Sequence, residues 1–288
     1  MIKNKFILAQ LALVLTTMIW GFTFTIVQES LTTACPPYAF SGYRFGLAAL
    51  GCILLLDFKN LKFTKQEIIG GIYCGLFLFI GYAFQNYGLM HTTPTKSAFI
   101  TGTSIIMVPI ILVILKLQKV SLKIWIASLL ATLGMYFLLN PQGDGLQYGD
   151  ILTFGCALGF AIHLIIQDKY TKQCRTMFLF FPQLVTVSLL SFIFNGIFDT
   201  QKIIWTEQLY MSLAITGILA TLFGIGAMVW AQKIISPSRT AIIFSMEPVF
   251  AAIFAMAVIG EFLSLIEWIG GVLIILGVLY CELGPKSK

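Results

Sequence analysis

Two charged side chains lie near the centres of long apolar segments, where each of them could bind or exchange an ion. These residues are Arg44 and Glu247. A buried charge without a partner is strongly unfavourable, so both side chains should face a polar interior. Arg44 could bind a carboxylate or pair with Glu247, and Glu247 could exchange a proton. The alternatives are a fixed structural charge for Arg44 and, for Glu247, a cap on backbone groups freed by Pro248.

Amide and aromatic side chains add candidates for binding in the same kind of segment. The adjacent amides Gln85 and Asn86 share one segment, and Gln183 lies in another. Such amides could bind the two ends of a zwitterion, or they could simply tie helices together. Three aromatic residues could form the walls of a cavity, namely Trp20, Tyr82 and Trp230. Most aromatic rings in such a chain, however, pack against other helices or face lipid.

The composition determines the class of protein that must position these residues. The 288 residues are 58% hydrophobic and only 10% charged, whereas a soluble domain carries roughly 25% charged residues. The mean hydropathy of +0.93 agrees with a membrane protein. The formal net charge of +6 comes from scattered basic residues, which argues against nucleic-acid binding. The six cysteines form no C-x-x-C pair, and we predict no metal and no cofactor.

Apolar windows of about 20 residues, the length needed to cross a bilayer, recur along the chain with short polar breaks. We predict ten transmembrane helices near residues 7–27, 36–56, 67–90, 95–116, 121–139, 149–167, 177–198, 207–232, 237–259 and 264–282. Pro109 and Pro248 fall inside two of these windows and predict helix kinks.

The distribution of basic residues is consistent with an even number of crossings. Of the 18 Lys and Arg residues, 15 fall in segments on one predicted side, two (Lys96 and Lys202) on the other, and Arg44 within a helix. Because cytoplasmic loops are enriched in Lys and Arg, both termini are expected in the cytoplasm. The predicted location is the bacterial inner membrane.

The sequence also repeats itself at a shift of 143 residues. Between 121–137 and 264–280 there are seven identities in 17 positions, among them Trp125 with Trp268 and Gly134 with Gly277. Five helices in each half would insert the second copy in the opposite orientation. We therefore predict two inverted five-helix repeats, residues 1–140 and 141–288, around a central cavity.

Several motifs, in order and spacing, resemble those of one family. These are Trp20-Gly21, Arg44-Phe45, the run from Gln85 to Thr93, Ser97 to Gly102, Glu247-Pro248-Val249-Phe250, Gly260-Glu261 and Trp268-Ile269-Gly270-Gly271. They are similar to features of EamA-type members of the drug/metabolite transporter superfamily, and the similarity covers roughly residues 7–282. The resemblance implies a bundle of ten helices with a central substrate cavity and transport of small metabolites such as amino acids, often outward.

The leading functional hypothesis is a secondary transporter that moves a small metabolite by alternating access, in efflux or exchange. Its expected partners are a small-molecule substrate and the lipid bilayer, with protons as the candidate coupling ion and a monomer as the working assumption. An intramembrane enzyme acting on lipid-linked substrates is the alternative, but the sequence has no H-E-x-x-H or G-x-S-x-G motif. A channel would require a filter loop or a ring of pore residues, which two dissimilar halves do not provide.

Overall fold

The computed structural model describes residues 2–92, 94–139, 146–199, 201–259 and 263–283, and this part of the chain contains helices and no β-strand. The helices are α1 (Ile2–Thr33), α2 (Pro37–Ile53), α3 (Lys65–Leu89), α4 (Pro94–Gly102), α5 (Ser104–Ile114), α6 (Leu122–Leu139), α7 (Tyr148–Thr171), α8 (Thr176–Phe198), α9 (Glu207–Ala214), α10 (Gly226–Ala231), α11 (Pro237–Phe244), α12 (Glu247–Ile259) and α13 (Leu265–Leu283). A short 3₁₀ turn, Phe58–Asn60, precedes α3, and a π-helical segment, Ile215–Ile225, joins α9 to α10.

Eight helical stretches are long and apolar enough to cross a membrane, so the chain is a multi-pass membrane protein. They coincide with eight of the ten predicted windows. The other two windows contain α2, with 17 residues, and the interrupted pair α11 and α12. The predicted boundary between the two repeats, at residues 140 and 141, lies outside the described residues.

Two of the predicted helices are interrupted in the structure. The window 95–116 is divided at Thr103 into α4 and α5, and the window 237–259 is divided at Ser245 and Met246 into α11 and α12. Pro248 is the second residue after the latter break. Pro109, in contrast, lies inside α5. Proline cannot donate to the carbonyl four residues earlier, and Ser128 Oγ donates to that carbonyl, Ile105 O, at 3.5 Å.

Glycines permit close contact between α6 and α13, which pack extensively against each other. A Cβ on Gly134 would lie 2.7 Å from both Gly270 O and Ile274 N. A Cβ on Gly277 would lie 2.9 Å from Ala127 O. Small residues at such positions let helix backbones approach closely, and the resulting van der Waals packing is one of the forces that drive helix association in lipid.

At each of the two ends of the bundle, a polar contact joins the ends of neighbouring helices. At the end called inner here, Arg175 at the start of α8 binds Glu67 at the start of α3. At the opposite, outer end, Thr92 donates a hydrogen bond to Asp150. The sequence predicts that the inner end faces the cytoplasm, because most basic residues lie there.

Candidate functional site

A cavity of about 380 Å³ lies between the helices and receives residues from both halves of the chain. Its size is in the range of small-molecule sites. Apolar side chains supply most of its wall. The polar residues that line it are Thr23, Arg44, Gln85, Thr101, Ser104, His163, Ser245, Glu247 and Glu267. The lining reaches Leu89, Leu139 and Glu267, which lie at the outer ends of α3, α6 and α13, so the cavity extends toward the outer end.

Arg44 on α2 is held from two sides and is only 5% exposed. Its Nε donates a 2.7 Å hydrogen bond to Thr221 Oγ1 in the π-helical segment, and its Nη2 donates to Tyr82 Oη at 3.3 Å. The guanidinium carbon also lies 4.8 Å from the centre of the Tyr82 ring, within cation–π range. These contacts fix the guanidinium, yet its Nη1 has no hydrogen-bond partner among the described residues. A guanidinium group that is held in place and still has a free N–H donor is suited to binding a carboxylate.

Glu247 begins α12 directly after the helix interruption, and its side chain lines the cavity. Gly21 on α1 allows this arrangement, because a Cβ there would lie 2.8 Å from the Glu247 carbonyl oxygen and 2.9 Å from Ala251 N. Within the described part of the chain, the Glu247 carboxylate accepts no hydrogen bond.

Arg44 and Glu247 therefore line one cavity with opposite charges but are not bound to each other. No ion pair within 4.0 Å joins them in the described residues. A cation and an anion that face a shared space without neutralising each other can each bind the opposite charge of a ligand.

The other predicted site residues divide into two groups. Trp20, Tyr82 and Gln85 line the cavity. Trp20 donates its indole N–H to Ala220 O at 2.8 Å, so its ring is fixed against the π-helical segment. Asn86, Gln183 and Trp230 do not line the cavity.

Each residue of the second group contributes to packing. Asn86 donates to Ser41 Oγ at 2.9 Å and ties α3 to α2. Gln183 is fully buried, and its amide nitrogen lies 3.1 Å from His163 Nε2. Trp230 packs against the hydrophobic core. Gln183 thus reaches the cavity only through His163, which itself lines the wall.

Thr101 and Ser104 were not singled out in the sequence, yet they line the cavity on either side of the break between α4 and α5. The sequence repeat contained a signal from which Ser104 could have been predicted. At the shift of 143 residues Ser104 corresponds to Glu247, and each is the first residue of the helix after its break.

The family model described as the EamA-like transporter family matches the chain over two stretches, residues 7–140 and 147–281. The chain belongs to this family. It is a transporter, as the family and the relatives described below indicate, and the predicted membership in the EamA-type group is confirmed.

Relatives of this EamA-like transporter are also named as transporters. An uncharacterized transporter of Archaeoglobus fulgidus is 34% identical over 280 residues, covering 97% of this chain and 87% of the relative. The S-adenosylmethionine uptake transporter of Rickettsia prowazekii is 24% identical, covering 91% of this chain and 88% of the relative. A solved crystal structure of a protein with 16% identity superposes with a TM-score of 0.79 and covers 96% of both chains, which supports the fold.

Proposed function

We propose that this EamA-like transporter moves a small amphoteric metabolite, an amino acid or a related solute, by alternating access, in efflux or exchange. The observation that carries the proposal is the presence of Arg44 and Glu247 in one cavity without a direct ion pair. Arg44 binds the substrate carboxylate, and Glu247 binds either the substrate ammonium group or a coupling proton.

The proposal includes ten membrane crossings, eight of which are the helical stretches that are long and apolar enough to span a bilayer. The ninth is α2, whose 17 residues lie at the lower limit for a span. The tenth is the pair α11 and α12, interrupted for two residues. Broken helices are tolerated at membrane depth where the free backbone faces a cavity, and Ser245 at this break lines the cavity.

The inverted repeat, with domains 1–140 and 141–288, is supported by equivalent helix breaks. At the shift of 143 residues the start of α4 corresponds to the start of α11, and the start of α5 to the start of α12. Cavity residues are related in the same way, as in Ala98 with Ala241 and Gly102 with Ser245.

Helix packing supports the same symmetry. Gly134 meets Ile274, and the equivalent pair, Gly277 and Ala131, is also in contact. Such reciprocal contacts are typical of a two-fold interface. Two halves of equal fold and opposite orientation provide the two states of alternating access around a central site.

The proposed orientation has both termini in the cytoplasm of a bacterial cell, with the protein in the inner membrane. In this orientation the cavity extends toward the outside, and the Arg175–Glu67 contact lies on the cytoplasmic side.

The substrate class follows from the charges of the cavity. An α-amino acid carries a carboxylate and an ammonium group, and S-adenosylmethionine, which the name of one relative mentions, carries both as well. Arg44 and Glu247 match these groups, while Trp20, Tyr82 and Phe160 provide an aromatic wall for the rest of the molecule.

The decisive experiment is counterflow in proteoliposomes containing the purified protein, with pooled amino acids, nucleotides and cofactors including S-adenosylmethionine. We expect exchange of an amphoteric solute, at least tenfold loss in Arg44→Ala, and no change in Gly196→Ala, where a Cβ would meet nothing within 4 Å. Full counterflow in a correctly inserted Arg44→Ala protein would reject the role of Arg44.

Proton coupling is tested separately through Glu247. If Glu247 carries the coupling proton, exchange should persist in Glu247→Gln while accumulation driven by a pH gradient is lost, because the amide cannot release a proton. Loss of exchange as well would assign Glu247 to the ammonium group of the substrate. The matched control is Glu29→Gln, which changes an exposed carboxylate. A Glu247→Gln protein that still accumulates substrate when a pH gradient is imposed would contradict proton coupling through Glu247.

A further inference from the structure

A second cavity lies on the lipid-facing side of the bundle, between α5 and α7 near the inner end. This groove has a volume of about 710 Å³ and no residue in common with the central cavity. Its walls are Ile and Leu side chains, such as Ile111, Leu115, Leu158 and Ile162. Leu115 is 59% exposed and Leu158 is 46% exposed, so the groove is open to the acyl chains of the bilayer.

Polar and cationic residues lie at one end of this apolar groove. Gln118, Asp168, Lys169 and Lys172 line it there. The groove therefore has a long apolar part and a cationic end at the inner side of the bundle. This arrangement is complementary to an anionic phospholipid, which has apolar acyl chains and a negatively charged head group. Basic pockets between transmembrane helices at the cytoplasmic side bind anionic lipid head groups in general.

Asp168 supplies a second, independent observation. Its Oδ2 accepts hydrogen bonds from Lys172 Nζ at 2.7 Å and from Gln118 Nε2 at 3.4 Å. Its Oδ1 is buried and has no hydrogen-bond partner among the described residues. The residue is only 4% exposed, and a buried acceptor of this kind requires a donor. A hydroxyl group of a ligand in the groove would provide one.

The backbone at Lys116 points to the same place. Lys116 lies between the groove residues Leu115 and Leu117 and has a φ of 53°. Leu117 N donates to Leu112 O and Lys116 N donates to Val113 O, which forms a Schellman motif at the end of α5. Glycine is preferred at this left-handed position, and a strained residue that is not glycine suggests a function for its side chain. Here the side chain adds an exposed cation beside the groove.

We propose that this groove binds an anionic glycerophospholipid with a hydroxylated head group, of which phosphatidylglycerol is the example. An acyl chain lies along the Ile and Leu walls, the phosphate faces Lys169 with Lys116 nearby, and a glycerol hydroxyl donates to Asp168 Oδ1. The Lys172–Asp168 ion pair remains intact.

Native mass spectrometry of the full-length protein in detergent tests the site with added phosphatidylglycerol, phosphatidylcholine and glycerol phosphate. We expect preferential retention of phosphatidylglycerol, weaker retention of phosphatidylcholine, which lacks the net charge and the hydroxyls, and none of glycerol phosphate, which lacks acyl chains. Equal retention of both lipids, or retention of glycerol phosphate alone, would overturn the proposal.

Two variants separate the head group from the acyl chain. Lys116→Gln/Lys169→Gln should weaken phosphatidylglycerol binding about tenfold or more, whereas Lys59→Gln/Lys62→Gln, which changes two exposed lysines elsewhere at the inner end, should not. Leu158→Trp fills the groove without a change of charge and should reduce binding to a similar extent.

Leu189→Trp is the matched control for the second variant, because Leu189 is 57% exposed and lies on α8, away from the groove. Unchanged binding in both groove variants would refute the site. Binding is measured in detergent without substrate, so its failure is distinct from a failure of the proposed transport.

Discussion

Arg44 and Thr221 are joined by a 2.7 Å hydrogen bond that ties the cavity cation to the π-helical segment. Thr221 Oγ1 in turn donates to Thr216 O at 2.8 Å, so the hydroxyl is oriented with its lone pairs toward the guanidinium. The hydroxyl is therefore already directed toward Arg44 before substrate binds. π-helical turns occur frequently at functional sites, and here the turn contributes the side chain that positions a candidate binding residue.

Removing this hydroxyl should weaken substrate binding without loss of the fold. Thr221→Val keeps the shape of the side chain but leaves Arg44 Nε unpaired, and a hydrogen bond to a charged group contributes about 1.5–3 kcal/mol. We expect substrate affinity to fall about tenfold or more in a counterflow titration. Thr221→Ser should retain affinity close to that of the parent, and an equal loss in both variants would contradict the role of the hydroxyl.

A methyl group at Gly21 should displace the start of α12. The added Cβ would lie 2.8 Å from Glu247 O and 2.9 Å from Ala251 N, and backbone atoms cannot rotate away as a flexible side chain can. We expect Gly21→Ala to destabilise the protein by about 1–3 kcal/mol, as other overpacking substitutions do. Thermal unfolding in detergent measures this effect, and Gly196→Ala provides the control. A melting temperature equal to that of the control would show that the contact is not tight.

The contact between Arg175 and Glu67 should protect the loop before α3. Arg175 donates to Glu67 from Nε at 2.8 Å and to Asn60 O and Lys62 O from its two terminal nitrogens. The hydrogen bonds to Glu67 raise the pKa of Arg175 above its usual value, and an arginine is charged throughout the physiological range in any case.

Without this contact, the loop should open locally more often. Arg175→Gln should increase the initial rate of tryptic cleavage after Lys59 and Lys62 several-fold, as measured by mass spectrometry of the fragments. Lys169→Gln, which removes a neighbouring cation outside this contact, should leave the rate unchanged. An unchanged rate in Arg175→Gln would mean that the contact does not hold the loop.

Glycine at position 116 should stabilise the chain. Lys116 has a φ of 53°, and a left-handed conformation costs about 1–2 kcal/mol for a residue with a Cβ. Part of this gain is offset by the greater freedom of glycine in the unfolded chain. We expect Lys116→Gly to raise the free energy of unfolding by up to about 1 kcal/mol, and Lys119→Gly, at a position without a positive φ, to lower it or leave it unchanged.

The sequence alone determined the class of protein, most of the helix positions and the family. These properties depend on local composition and length: a chain with 10% charged residues must be in lipid, and a span needs a fixed number of apolar residues. The repeat at 143 residues even contained the equivalence of Ser104 with Glu247, although it does not indicate that both residues line one cavity.

Only the tertiary structure decided which polar side chains meet. Gln85 lines the cavity while its neighbour Asn86 turns to Ser41, and Gln183 is separated from the cavity by His163. The orientation of a residue in a membrane helix depends on the packing of its neighbours, and lipid-facing and helix-facing surfaces are equally apolar. Apolar periodicity therefore cannot distinguish the two directions. The sequence suggested that Arg44 could pair with Glu247, and only the packed helices showed that both line one cavity with no ion pair between them among the described residues.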